Sequence, residues 1–442
     1  FNKAKWDDTI DWKEREKELI DLCNKHRKTD GSYDCIIGGS GGKDSVFQSY
    51  TLKYKYKMNP LTVTWAPHLY TDIGWKNFQN WLHRGGFDNY LYTPNPKIHQ
   101  KITREATKRL FHPFQPFIIG QKICGPKYAA LHKIPFVMYG EHPSEYGDRI
   151  DEAFDPKMKE HYFVDNTNID SLILGGESAR KICIENNFNI SDMSDYLPIK
   201  PSIIKELGIE VYHLSYYLKW DPQEVYYYAA EKTGFKSNTE RTQGSYSKYS
   251  SIDDKLDTLH YYTTLIKFGI GRATYDASQE IRTNKITRDE GVALVKKYDL
   301  EFPDLYFNDT LEYMNITSEQ FWETIDKNRP EHIWEKKYGG ILFNSPPYVI
   351  DDKTKYLMPY MQTKLAQTTF MHSLANTTPK ESNVIVSSFW TSYPLHTDAI
   401  LKRGVGKMED CMHPRILSRT VEELLFNIKN REQYNGKEII DG

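Results

Sequence analysis

Four glycines in five positions (Gly38, Gly39, Gly41 and Gly42) divide an apolar run from a polar helix start in DCIIGGSGGKDSVFQSY, residues 34–50. Such density is unfavourable, because glycine loses more backbone freedom on folding than any other residue. The pattern reads as a buried strand, a tight turn and a helix whose first turn carries Asp44 and Ser45. A turn of this kind gathers backbone N–H groups at a helix N-terminus and binds anions, phosphates above all. Something is therefore expected to approach that backbone closely. Two common phosphate signatures fail. G-x4-G-K-[S/T] finds Ile37 and Asp44 where it needs glycine and a hydroxyl, and G-x-G-x-x-G begun at Gly39 finds Asp44 where it needs glycine.

The rest of the chain supplies the setting. Short apolar runs in YDCIIGG, in NPLTVTWAP (59–67), in NYLYTPN and within 134–148 read as strands, alternating with helical patterns over 12–27 and 71–86. That alternation predicts an α/β fold with a doubly wound parallel sheet. PFIIG, flanked by Gln115 and Gln121, reads as a further strand, residues 190–235 as Tyr-rich and irregular, and 251–335 as consecutive helices. At 442 residues the chain exceeds one ordinary core. The expected divisions are an N-terminal helix (1–30), an α/β nucleotide domain (31–240), a helical substrate region (241–337) and a C-terminal extension of unassigned role (338–442). The formal net charge of −2 leaves no global footprint for nucleic acid. Five scattered cysteines without a CxxC pair argue against a disulfide framework or an internal zinc site. No apolar run reaches the ~18 residues of a membrane span and no signal peptide opens the chain, so the expectation is cytoplasmic.

Ser40-Gly41-Gly42-Lys43-Asp44-Ser45 resembles the SGGxDS pyrophosphate loop of the PP-loop ATPases, whose fold is adenine nucleotide alpha hydrolase-like. The resemblance implies ATP cleaved to AMP and pyrophosphate. The amides of Gly41 and Gly42 and the hydroxyls of Ser40 and Ser45 would hold the leaving pyrophosphate, and Lys43 would offset its charge. Asp44 suits a ligand for the Mg²⁺ that travels with ATP, the alternative being a first-turn carboxylate favourable to the helix dipole. TDIGWKNFQNWL, FHPFQPFIIGQK, IPFVMYGEHPSEYGD, the 244–282 stretch and ITSEQFWETIDKNRPEHIW resemble the N-acetyl sugar amidotransferases across roughly residues 8–337. That family implies conversion of a sugar's acetamido group to an acetamidino group, in bacterial O-antigen and nonulosonic (pseudaminic-type) sugar synthesis. It also implies a separate glutaminase subunit that supplies ammonia. Family members usually begin with a cysteine-rich, zinc-ribbon-like segment, and this chain starts at Phe1 as though just past it. The rival readings are another PP-loop ligase or a tRNA-modifying thiolase, and a catalytically silent nucleotide-binding scaffold subunit.

Candidate residues follow from position. Glu141 ends a predicted strand, where open α/β sheets place ligands, and could deprotonate the attacking amine. Glu145 is a second candidate, and a surface carboxylate is the bland alternative for both. Asp72 follows the second strand, where it would read the nucleoside or cap the helix. Lys267 and Arg272 could face phosphates or a sugar acid, or be helix-surface charge. Gln115 and Gln121 are candidate substrate hydrogen-bonders. The 244–255 run, rich in hydroxyls, aromatics and carboxylates, suits a sugar, though turn and cap chemistry explains much of it. No glutaminase nucleophile is apparent. Phe1 stands where an N-terminal cysteine would be needed, and neither Cys124 nor Cys411 sits in a G-x-C-x-G elbow.

Overall fold

Helix α1 (Asn2–Asp7) precedes α2 (Trp12–His26), which Asp11 caps by accepting the Lys13 and Glu14 N–H groups at 3.0 and 3.2 Å. Strand β1 (Cys35–Gly38) runs through the glycine turn into α3 (Lys43–Tyr50). Strand β2 (Pro60–Trp65) is buried at every residue. Helix α4 (Asp72–Gly85) ends on Gly86 in the left-handed region at φ +66°, the stop that the glycine pair predicts. Strand β3 (Asp88–Tyr92) follows. The computed structural model describes residues 2–146, 154–165, 168–337, 340–343, 388–391 and 438–441.

Two helices come next, α5 (Pro96–Leu110) and α6 (Gln115–His132), and α6 corrects an expectation. PFIIG is helix, not strand. Pro116 opens the helix, and Gly120 lies so close to the Trp65 indole that a Cβ there would sit 2.2 Å from Cε2. A short apolar run does not by itself distinguish a strand from a buried helix segment. Strand β4 (Phe136–Tyr139) completes the predicted four. After the hairpin β5 (Ile173–Leu174) and β6 (Glu177–Ser178) and helices α7 (Ala179–Asn186) and α8 (Pro201–Leu207) comes β7 (Glu210–His213), a strand the sequence reading passed over. It pairs in parallel with β4, Phe136 opposite Glu210, and extends the sheet order to β3-β2-β1-β4-β7. Helices α9 (Leu214–Tyr217) and α10 (Pro222–Thr233) follow.

The sheet is doubly wound. Ile36 of β1 packs in one core with Ile98, Ile102 and Ile123 of α5 and α6. Its neighbours Cys35 and Ile37 pack in another with Leu19 and Cys23 of α2 and Val225 of α10. Strand order reverses between β1 and β4, and such a switch point opens a crevice at the carboxyl ends of the strands.

The helical stretch is α11 (Asp257–Phe268), α12 (Arg272–Arg282), α13 (Arg288–Tyr298), α14 (Phe307–Met314) and α15 (Ser318–Asn328). Capping boxes start α13 (Thr287 with Glu290) and α15 (Thr317 with Gln320). Phe111 and Phe114 of the α/β part share a core with Leu256, Leu259, Met314 and Phe321. Trp334 opens β8 (Trp334–Lys337), which pairs antiparallel with β9 (Gly340–Phe343). The chain divides into two compact units, Phe1–Ser345 and Pro346–Gly442. In the second unit a parallel pair, β10 (Ser388–Thr391) and β11 (Glu438–Asp441), is described; apart from β9 and this pair, the expected C-terminal extension (338–442) lies outside the described residues. Among the described residues no helix is long and apolar enough to cross a membrane.

Candidate active site

The four glycines serve different neighbours. A Cβ on Gly38 would lie 2.5 Å from the Tyr139 ring of β4, and one on Gly39 within 3.0 Å of Ser45 and Trp81. Gly41 holds φ +87° and would meet the Phe78 backbone of α4 at 2.5 Å. Only Gly42 faces open space, its nearest such atom being Ser40 Oγ at 3.6 Å. What approaches three of the glycines is thus the protein itself, which closes β4 and α4 onto the turn from both sides. The fourth leaves room for a ligand at the N-terminus of α3.

The turn is braced internally. The Ser40 N–H donates to Ser45 Oγ at 2.9 Å, and Lys43 Nζ donates to both Asp44 oxygens at 2.7 and 2.8 Å. Lys43 is only 8% exposed, a buried cation rather than a loose loop side chain. The turn lines a cleft of about 460 Å³. Its second wall is Glu141 and Tyr146, just past β4, and its third comes from Tyr249–Asp253, Asp257, Arg272 and Gln279.

Electrostatics set the chemistry of this cleft. Burial pushes the Glu141 carboxyl up to about 7; Asp44 adds to this, while Lys43 and a hydrogen bond from the Tyr146 hydroxyl (2.5 Å to Oε2) oppose it. Burial likewise raises Asp257 to about 7 against the pull of Arg272. Asp253 is raised by burial, then by Asp254, and held back by its own backbone N–H and, less, by Ser40. Burial works against the charge of Arg272, but Asp276, Tyr261 and Asp257 outweigh it and hold the guanidinium protonated. Its Nε lies 3.1 Å from Asp276 Oδ1 and its carbon 4.5 Å from the Tyr261 ring centre. A group titrating near neutrality in a cleft is what acid–base chemistry requires.

The residues singled out from sequence divide. Ser40, Gly41, Gly42, Lys43, Asp44, Ser45, Gln121, Glu141 and Arg272 line the one cleft. Four are placed otherwise. Asp72 is exposed in the first turn of α4, outside the cleft lining, and Thr71, not Asp72, caps that helix through the Gly74 N–H. Gln115 Oε1 accepts the Gly175 N–H at 3.1 Å. Lys267 donates to the Leu110 carbonyl at 2.8 Å, tying α11 to α5. Glu145, 4% exposed, forms an ion pair with Arg282 at 2.5 Å. These last three make structural contacts and do not line the cleft, and the flanking-strand argument for Gln115 falls with the strand. Asp253 and Asp257 were not singled out. Asp253 falls within the 244–255 run that suits a sugar, and the only sequence signal for Asp257 is the run of carboxylates in SIDDKLD, which cap chemistry also explains.

A divalent cation fits one side of the cleft chemically. After burial, Asp44 also raises the carboxyls of Glu141 and Asp253, so the three carboxyls lie close enough to feel one another, and all donors are hard oxygens. Among the described residues no group of three His, Cys, Asp or Glu side chains could cage a metal. A cation here would complete its shell from nucleotide phosphates and water, as Mg²⁺ commonly does.

Comparison with known proteins bears on the third wall. Residues 243–345 match the family described as LPS biosynthesis protein WbpG-like, C-terminal domain, and this segment contributes Tyr249 to Gln279 to the cleft. A stretch of 47 residues, 11% of this chain, is 47% identical to the uncharacterized protein MJ1599 of Methanocaldococcus jannaschii. The chain spans 17% of the length of that curated relative. NMN synthetase from Francisella tularensis is 10% identical, with 70% of this chain and 98% of that chain covered at a TM-score of 0.32. The U34-tRNA thiolase NcsA of Methanococcus maripaludis, solved with its 4Fe–4S cluster, is 12% identical, with 64% and 78% covered at a TM-score of 0.26. Scores this low carry no argument about function.

Proposed function

We propose that this chain is an ATP-dependent, AMP- and pyrophosphate-forming amidotransferase that converts the acetamido group of a free or nucleotide-linked sugar to an acetamidino group. The observation that carries this reading is the shared cleft, where the SGGKDS turn, a carboxyl poised near neutrality and the WbpG-like segment face one another.

The chemistry follows from the substrate. An amide carbonyl is a poor electrophile, so its oxygen first attacks the α-phosphorus of ATP. The new O–P bond forms as the bond to the β-phosphate oxygen breaks and pyrophosphate leaves toward Ser40, Gly42 and Ser45. Lys43 stabilises the charge that develops there. Mg²⁺ bound with ATP would neutralise phosphate charge, with Asp44 as its protein oxygen. Ammonia then attacks the imidate carbon, a proton of the new ammonium passes to Glu141, and the C–O bond breaks to release AMP. Arg272, Asp257 and Gln279 hold the sugar side, and water must be kept out because its attack would regenerate the amide.

Ammonia from a separate glutaminase subunit suits the cysteines. Cys23, Cys35, Cys124 and Cys183 are all buried, and burial pushes the thiols of Cys23 and Cys124 up to about 12, far from a reactive thiolate. Cys411 lies outside the described residues. Incubating the purified chain with Mg·ATP, an N-acetyl sugar and ammonium at alkaline pH should give a product about one mass unit lighter, with AMP. Glutamine in place of ammonium should give none. Turnover with glutamine alone would contradict the need for a partner, and AMP formation with no lighter sugar would contradict the amidine.

A further inference from the structure

Asp254 does not line the cleft, yet among the described residues it gathers four N–H donors. It is 4% exposed, and its Oδ2 accepts from the His68 backbone N–H at 2.7 Å and from His68 Nδ1 at 2.8 Å. Its Oδ1 accepts from the N–H groups of Leu256 at 2.9 Å and Leu69 at 3.3 Å. Among the described residues His68 Nε2 has no hydrogen-bond partner, and its ring sits among other rings: His99 (4.7 Å between centres), Phe114 (4.9 Å), Phe117 (5.3 Å) and Tyr313 (5.9 Å). The imidazole proton therefore sits on Nδ1, where the carboxylate receives it.

The pair joins two distant pieces of chain. Residues 68–71 leave β2 for α4, and residues 252–256 lead into α11. The Thr71 N–H donates to the Asp253 carbonyl at 3.2 Å, Thr71 Oγ1 to the Ile252 carbonyl, and the Lys255 N–H to the Leu69 carbonyl at 2.9 Å. Gly74 has no side chain where the Asp253 backbone crosses; a Cβ there would lie 2.5 Å from Asp253 Cα. The result is that Asp253 lines the same cleft as Ser40 of the glycine turn, and Asp257 begins α11 facing it. A buried carboxylate satisfied by four N–H donors fixes geometry in a way that apolar packing would not, because its hydrogen bonds exist in only one register.

We infer that Asp254, oriented by His68, is a positioning residue that sets the substrate wall against the glycine turn and acts on the turn through Asp253 and Ser40. This rests on the ATP-site reading above. The test is Mg·ATP affinity by calorimetry on the full chain, with a double-mutant cycle. Asp254→Asn places an NH₂ against an N–H donor and should weaken Mg·ATP at least about fivefold. Ser40→Ala should also weaken it, and the double variant should bind no more than about twofold worse than the weaker single, since residues acting in series are not additive. His68→Asn, which can present a donor where Nδ1 stands, should stay within about twofold of wild type, whereas His68→Leu should follow Asp254→Asn. The inference is overturned if the Asp254→Asn and Ser40→Ala losses multiply, or if His68→Leu binds Mg·ATP as wild type does while only its melting temperature falls. Wild-type chain that binds no Mg·ATP overturns both this inference and the proposed function; binding without amidine formation overturns the latter alone.

Discussion

The glycine turn and the wall that faces it differ in how their groups reach the cleft. From Gly38 to Ser45 the functional groups are consecutive, delivered by one strand–turn–helix unit whose geometry is local. On the facing wall Asp253, Asp257, Arg272 and Gln279 come from a loop and two helices, held in place by contacts such as His68–Asp254 that span 186 residues of chain. A local unit keeps its chemistry wherever the fold carries it. A wall assembled at long range can be retuned one side chain at a time.

This contrast can be broken or sharpened by substitution. The largest effect is expected at Glu141, between the two. Glu141→Gln should slow amidine formation by about 10²–10⁴-fold, the range for a general base, with Mg·ATP affinity within about threefold of wild type. In the wild type the rate should rise with pH through about 7 as the carboxyl loses its proton. Its stability runs the opposite way. A carboxyl raised on folding binds its proton more tightly in the folded chain, so its contribution is full below the ordinary carboxylate range and is lost as pH rises through about 7. Glu141→Gln should flatten that part of a melting-temperature-against-pH curve; an unchanged curve would show that Glu141 titrates elsewhere.

Next come Lys43→Ala and Asp44→Asn, each expected to lower AMP formation by about 10²-fold. Lys43→Ala also removes a cation that holds the Glu141 carboxyl down, so its pH–rate limb should move to higher pH, and Asp44→Asn should move it lower. Shifts of equal sign in both variants would contradict the charge balance drawn for this end of the cleft. On the facing wall, Asp257→Asn should raise KM for the sugar about tenfold, the scale of losing one good hydrogen bond, and leave KM for ATP unchanged. Equal effects on the two constants would mean that the two walls are not separate in function. The smallest effect belongs to Asp72→Asn, under about twofold on either KM, because that exposed side chain lies outside the cleft lining.

The same contrast explains what could be read from sequence. The doubly wound sheet and the cleft side of the turn were legible because alternation of apolar runs with helical patterns, and the spacing of SGGKDS, are local signals. The strand β7 was not, because EVYH places a glutamate and a histidine at its ends within a Tyr-rich stretch, and its burial comes from pairing with β4. The helix at Gln115–His132 was misread because Gly120 and Pro116 look like strand punctuation until Trp65 is seen to occupy the space above Gly120. Lys267 and Glu145 were plausible ligands whose partners, the Leu110 carbonyl and Arg282, are set only by the tertiary fold. Asp257 carried only the ambiguous mark of the SIDDKLD carboxylate run; its place beside Arg272 in the cleft exists only in three dimensions.

The central claim is that the acetamido oxygen is activated by adenylylation and leaves with AMP. It is tested most directly with substrate labelled with ¹⁸O in the acetyl carbonyl, supplied with Mg·ATP and ammonium, with mass analysis of all three products. The account predicts one ¹⁸O in AMP, none in pyrophosphate and none in the amidine. Label in pyrophosphate, or label retained in the sugar product, would contradict it.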